Sequence, residues 1–172
     1  MKPIVIRNKN NVNMTYQLDK IRKLITIIKD TNHFQQAFCH TSYLNELNLK
    51  KNVNSEQSSE NDVKFSYETL EFLGDSVLNF YTSLFIYQNF PQFAEGQMSK
   101  LKQLMVQENT LAHLSKKIGL GEFLQLGAGE RKNGGSEKKS ILADVFESFV
   151  AALYLEKGGK LVYRFLNLTV FT

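Results

Sequence analysis

A single cysteine, Cys39, occurs among the 172 residues, so no internal disulfide can form and the chain fits a reducing compartment. It sits in the apolar run Ala37-Phe38-Cys39, the setting of a small core residue. No apolar run approaches the roughly 18 residues that a membrane span requires, so no membrane partner is expected. The first eighteen residues carry Lys2, Arg7 and Lys9 without an acid, yet lack the apolar centre of a secretory signal. A cytoplasmic or nuclear location is expected; organellar targeting stays open, although arginine and serine are scarce there. Alternating strand patterns are also missing. The hydrophobic period is helical throughout, which predicts an all-α, compact multi-helix domain.

The most informative absence is of positive charge. From Leu70 to Tyr87 the only charged side chains are Glu71 and Asp75, and from Ile141 to Leu155 only Asp144 and Glu147. A helix apolar on nearly every face is expected to be buried, and a buried unpaired carboxylate costs several kcal/mol. At about 100° per residue, each acid pair shares one helix face. If the two helices are central and adjacent, the acids converge and something cationic must bind. Glu68 falls on the same stripe, one turn earlier. With no histidine or cysteine near them, these oxygen donors suit Mg²⁺ or Mn²⁺ rather than zinc. Paired ions of that kind are a recurring solution for phosphodiester hydrolysis. Gly74 lies inside the first group, where alanine would favour the helix by about 1 kcal/mol; close approach of another helix or of the ligand is the expected reason.

The rest of the chain is consistent with a polyanion partner. Net charge is +4, and setting the four acids aside leaves 13 of the 17 acidic residues against 21 lysines and arginines. Lys100, Lys102, Arg131, Lys132, Lys138 and Lys139 are candidate nucleic-acid contacts, although paired lysines on a helix are commonly a solvated face. The polar stretch 48–63 is expected to be a flexible insertion, residues 1–17 an N-terminal extension, and 18–172 one domain. Helices are predicted from Phe65 to about Asn89, stopped by Pro91, and from Ser136 to Lys157, ended by Gly158-Gly159.

The string Tyr67-Glu-Thr-Leu-Glu-Phe-Leu-Gly-Asp-Ser-Val-Leu78 resembles the signature helix of the ribonuclease III endonuclease domain, and Ser140-Ile-Leu-Ala-Asp-Val-Phe-Glu147 resembles its second acidic motif. His40-Thr-Ser-Tyr43, Glu95-Gly-Gln-Met-Ser99 and the turn region from Gly127 to Gly135 follow in the family's order. The resemblance implies a Mg²⁺-dependent endoribonuclease, with Mn²⁺ able to substitute, that cuts double-stranded RNA by a two-metal mechanism and leaves 5′-phosphates and a short 3′ overhang. It implies metal-holding roles for Glu71, Asp75, Asp144 and Glu147 and supporting catalytic roles for Glu68 and Glu95. From the residues alone, Glu68 could equally serve the helix start and Glu95 be a first-turn acid. Phe72, by periodicity another buried aromatic, is implied to lie at a homodimer axis. His40, Ser42 and Tyr43 are expected to be architectural. Two departures stand out: Ser136-Glu137 replaces an arginine often found after the glycine pair, and the family's double-stranded-RNA-binding domain is not in this sequence. The latter suggests a separate RNA-binding partner or domain. The other reading is a catalytically silent scaffold for RNA binding or dimerisation, and the intact acid set argues against it.

Overall fold

Eleven of the nineteen residues of one helix, Lys139–Lys157, are buried, and the rest of the fold is arranged around it. The computed structural model describes residues 9–54 and 65–172, with side chains from Tyr16 onward except those of 51–54. Nine α-helices occur among the described residues: α1 (Lys9–Thr26), α2 (Asn32–Ala37), α3 (Thr41–Asn54), α4 (Glu68–Asn89), α5 (Glu95–Val106), α6 (Glu108–Ile118), α7 (Ala128–Lys132), α8 (Lys139–Lys157) and α9 (Gly159–Thr169). None of the described helices is long and apolar enough to cross a membrane. The all-α expectation is met.

α4 and α6 form the broadest contacts with α8, and α2 and α9 complete its sheath. Phe146 and Phe149 of α8 meet Phe165 of α9 with ring centroids 5.5 and 5.1 Å apart, at angles typical of packed aromatics. α1 buries Ile21, Leu24 and Ile25, and the turn that follows it buries Ile28. Two hydroxyls that burial would otherwise strand find carbonyl acceptors: Ser115 Oγ donates to Leu142 O at 2.6 Å and Ser148 Oγ to Ala37 O at 3.0 Å.

Several boundaries differ from those read in the sequence. α1 runs unbroken past residues 17 and 18, so no structural boundary falls there; residues 1–8 lie outside the described part. α3 extends to Asn54, so the polar stretch 48–63 begins inside a helix, and its residues 55–63 lie outside the described part. α8 starts at Lys139 rather than Ser136, because Gly134 adopts φ 71° and residues Gly135–Glu137 form a separate 3₁₀ turn. Gly158, with φ 74°, ends α8 where expected.

α4 departs furthest from expectation. Leu70, Gly74, Val77, Leu78, Thr82 and Ile86 are buried, yet Phe72 is 79% exposed, Phe80 60% and Tyr87 71%. Among the described residues, α4 is covered on one side only. A pattern apolar all round marks a helix whose second side also favours an apolar neighbour, and the described chain does not supply one.

Candidate active site

The local sequence of α4 and α8 explains how their acids meet. Glu71 and Asp75 stand four residues apart near the start of α4, and Asp144 and Glu147 three apart in α8. The helices touch backbone to backbone at Gly74, where a Cβ would fall 1.9 Å from Glu147 O. That contact brings carboxylate oxygens of Glu71, Asp144 and Glu147 within 4.8 Å of one another, all three residues half-buried. Gly74 therefore serves close approach of another helix.

Asp75 sits at the rim. It is exposed and outside that three-residue group, and its Oδ1 accepts a hydrogen bond from Asn79 Nδ2 at 2.7 Å. Its charge still acts on the cluster, as the largest of the like charges raising Glu147. Glu68 is also exposed, and accepts from Thr41 Oγ1 at 2.8 Å and Ser66 Oγ at 3.2 Å. Glu95 begins α5 and accepts from Ser99 Oγ at 2.7 Å, outside the clustered acids.

Electrostatics mark the site as starved of positive charge. Burial first, then Asp75, Glu71 and Asp144, push the Glu147 carboxyl up to about 8. Burial first, then Asp144, Glu68 and Asp75, raise Glu71. Asp144 is raised by burial, against the opposing hydrogen bond from Tyr67. Among the described residues, no lysine or arginine forms an ion pair with any of these carboxylates. The donor set, oxygen only and anionic, fits a hard divalent cation.

Two contributors escaped the sequence reading. Tyr67 Oη donates to Asp144 Oδ2 at 3.2 Å, while Tyr67 N donates to Cys39 O at 2.8 Å. Burial and the adjacent Asp144 hold its hydroxyl well above the ordinary tyrosine range, so it remains a donor. Glu108, at the start of α6, adds a like charge to Asp144. Tyr67 stood in the signature string, but its partner lies 77 residues away; nothing in the sequence pattern singles out Glu108.

The basic candidates divide. Lys132 is exposed on α7, and Arg131 Nη2 donates to Leu126 O at 3.2 Å. Lys138 is tied to Glu130 at 2.6 Å and Lys139 to Asn109 at 2.9 Å. Lys100 is exposed on α5, whereas Lys102 lines an apolar groove with Phe80, Leu84, Tyr87 and Met98.

Comparison with known proteins identifies the family. A family model described as Ribonuclease-III-like matches residues 30–172. Ribonuclease 3 of Halalkalibacterium halodurans is 43% identical over 136 residues, covering 79% of this chain and 47% of that protein. Ribonuclease 3 of Staphylococcus aureus is 35% identical over 152 residues, covering 88% of this chain and 58% of that one. The chain thus spans about half the length of the curated relatives it matches. The nuclease domain of ribonuclease III from Campylobacter jejuni, solved with structural flexibility in a region involved in dimer formation, superposes with a TM-score of 0.69 at 31% identity, over 86% of this chain and 94% of that one. Fold, acid cluster and sequence together place this chain in the ribonuclease III family.

Proposed function

We propose that the chain is a double-strand-specific endoribonuclease that hydrolyses RNA phosphodiester bonds at the carboxylate cluster with two divalent cations, leaving 5′-phosphates and a short 3′ overhang. One observation carries the reading: Glu71, Asp144 and Glu147 hold oxygens within 4.8 Å of one another. At an effective dielectric of 20, two unit charges at such a separation repel by roughly 3 kcal/mol. A fold that only needed to be stable would place apolar groups there, whereas a fold that binds cations needs this arrangement. A silent scaffold has no use for it.

When bound, Mg²⁺ or Mn²⁺ supplies charge neutralisation and an activated water for in-line attack. Glu71, Asp144 and Glu147 would hold it, with Asp75 adding a fourth carboxylate from the rim. Tyr67 donates to Asp144 Oδ2 and so orients the carboxylate that would hold the ion. Glu68, fixed by Thr41 and Ser66, adds negative field; a supporting role for Glu95 rests on resemblance alone. The exposed stripe Phe72, Phe80 and Tyr87 and the adjacent groove of about 380 Å³ support homodimerisation through α4. Two clusters in one dimer would each cut one strand.

The test is incubation of the chain with a long RNA duplex. Cleavage in Mg²⁺ or Mn²⁺ and arrest in Ca²⁺, which prefers looser and higher coordination, are expected. Sustained cutting in excess chelator would refute the metal reading, and an intact duplex in Mg²⁺ would refute the endonuclease.

A further inference from the structure

Between the acids and the basic segment lies a hydrogen-bond network that the reaction as described does not use. Cys39 and Gln125 form an isolated parallel bridge, with Gln125 N donating to Phe38 O at 2.8 Å and His40 N to Gln125 O at 3.1 Å. Just beyond it, Gly127 N donates to Ser42 Oγ at 3.0 Å and Ala128 N to Glu46 Oε1 at 2.6 Å. These amides open α7, and the first N–H groups of a helix have no partner within it. α3 therefore caps α7 from a part of the chain more than eighty residues away. The seat is tight: a Cβ on Gly127 would fall 2.6 Å from Glu46 Oε1 and 2.7 Å from Ser42 O.

The network also reaches the acids. Ser42 Oγ accepts from Gly127, so its own proton is free for His40 Nδ1, 2.8 Å away, which also accepts from Ser42 N at 3.1 Å. With Nδ1 filled as an acceptor, neutral His40 carries its proton on Nε2. The His40 ring centroid lies 5.6 Å from that of Tyr67, whose hydroxyl donates to Asp144. On the far side of the cap, α7 carries Arg131 and Lys132, and Glu130 holds Lys138.

We propose that Ser42 and Glu46 are positioning residues for the substrate: by capping α7 they hold Arg131 and Lys132 in a fixed register with the carboxylate cluster, so that one duplex engages both. The inference rests on the duplex-RNA reading above. A free-swinging loop would offer the same charges without register, and a bond to an ionised acceptor is among the stronger hydrogen bonds available to set one. A cap that merely completed the fold would act on stability and leave substrate affinity untouched.

Steady-state cleavage of a long RNA duplex by the parent chain, Glu46→Ala and Glu46→Gln decides the matter, alongside hydrogen exchange at the Ala128 amide. Glutamine keeps an oxygen acceptor where alanine has none. Glu46→Ala should raise KM about fivefold with kcat within about twofold of the parent, the loss of one hydrogen bond, and its Ala128 amide should exchange faster. Glu46→Gln should recover most of the KM. An unchanged KM in the alanine variant, a loss confined to kcat, or a glutamine variant as impaired as alanine would each overturn the proposal. A parent chain that neither retains nor cuts the duplex would overturn the functional reading and the positioning role with it. A cutting parent beside an unaffected Glu46→Ala overturns the positioning role alone.

Discussion

Replacing Gly74 with alanine tests the claim that helix contact builds the acid cluster. In an ordinary helix interior this change stabilises by about 0.5–1 kcal/mol. At residue 74 the new methyl would lie 1.9 Å from Glu147 O, against the roughly 3.3 Å at which carbon and carbonyl oxygen come to rest. α4 and α8 would have to part by about 1.4 Å, and overpacking of this kind costs about 1–3 kcal/mol or more. Because backbone rather than a flexible side-chain tip is struck, rotamer change offers no relief. A net loss of about 1–2 kcal/mol is expected once the propensity gain is offset. The parting also separates Glu71 from Asp144 and Glu147, and misplacement by about 1 Å can cost on the order of 100-fold in rate. Urea unfolding and calorimetric Mn²⁺ titration would read both effects. Gly96→Ala in α5, with nothing within 4 Å of the added carbon, is the control and should stabilise slightly. A Gly74→Ala protein as stable as the parent with unchanged Mn²⁺ affinity would refute the reasoning.

Three further outcomes are expected. In metal-free buffer, native Glu147 keeps its proton up to about pH 8 whereas the unfolded chain releases it near the ordinary value of 4.5, so stability should fall as pH rises between them. Glu147→Gln should flatten that slope in melts across pH 4–8 while abolishing cleavage, and an unchanged slope would assign the titration elsewhere. Phe72→Glu should shift a dimer to monomer in light scattering and lower cleavage, because a charge is costly in a dry apolar contact; an unaltered dimer would place the axis off this face. Lys132→Ala should weaken binding to all duplex sequences alike and reduce the salt slope by about one unit, whereas an unchanged slope would make Lys132 a solvated side chain.

The parts of the site legible in the sequence are those written in short-range spacing. Glu71 with Asp75, Asp144 with Glu147, the odd glycine between the first two and the Gly158 stop all follow from helix geometry over a turn or two. Contacts between distant segments were not legible. Tyr67 reaches Asp144 across 77 residues, and α3 caps α7 across 82 to 85, with nothing in either segment's own pattern to announce the other. The uncovered side of α4 escaped for a different reason. Hydrophobic periodicity reports that a face avoids water but not whether the same chain covers it, so by periodicity alone Phe72 read as core although it is 79% exposed, and only the family resemblance set it at a dimer axis. α7 was missed because five residues inside a glycine-rich stretch carry too little periodicity to register, and its start is held by Ser42 and Glu46 rather than by its own composition.

That the clustered carboxylates come from only two helices has a thermodynamic consequence. A cation shared by Glu71 on one helix and Asp144 and Glu147 on the other acts as a staple across the interface that unfolding must open. The unfolded chain scatters these acids over more than seventy residues and binds such an ion poorly, so mass action credits nearly all of the binding free energy to the native state. At a hundred times the dissociation constant, that amounts to about 2.7 kcal/mol. The midpoint of thermal unfolding should therefore climb with the logarithm of Mg²⁺ or Mn²⁺ concentration, which makes heat denaturation a direct measure of site occupancy without RNA or turnover.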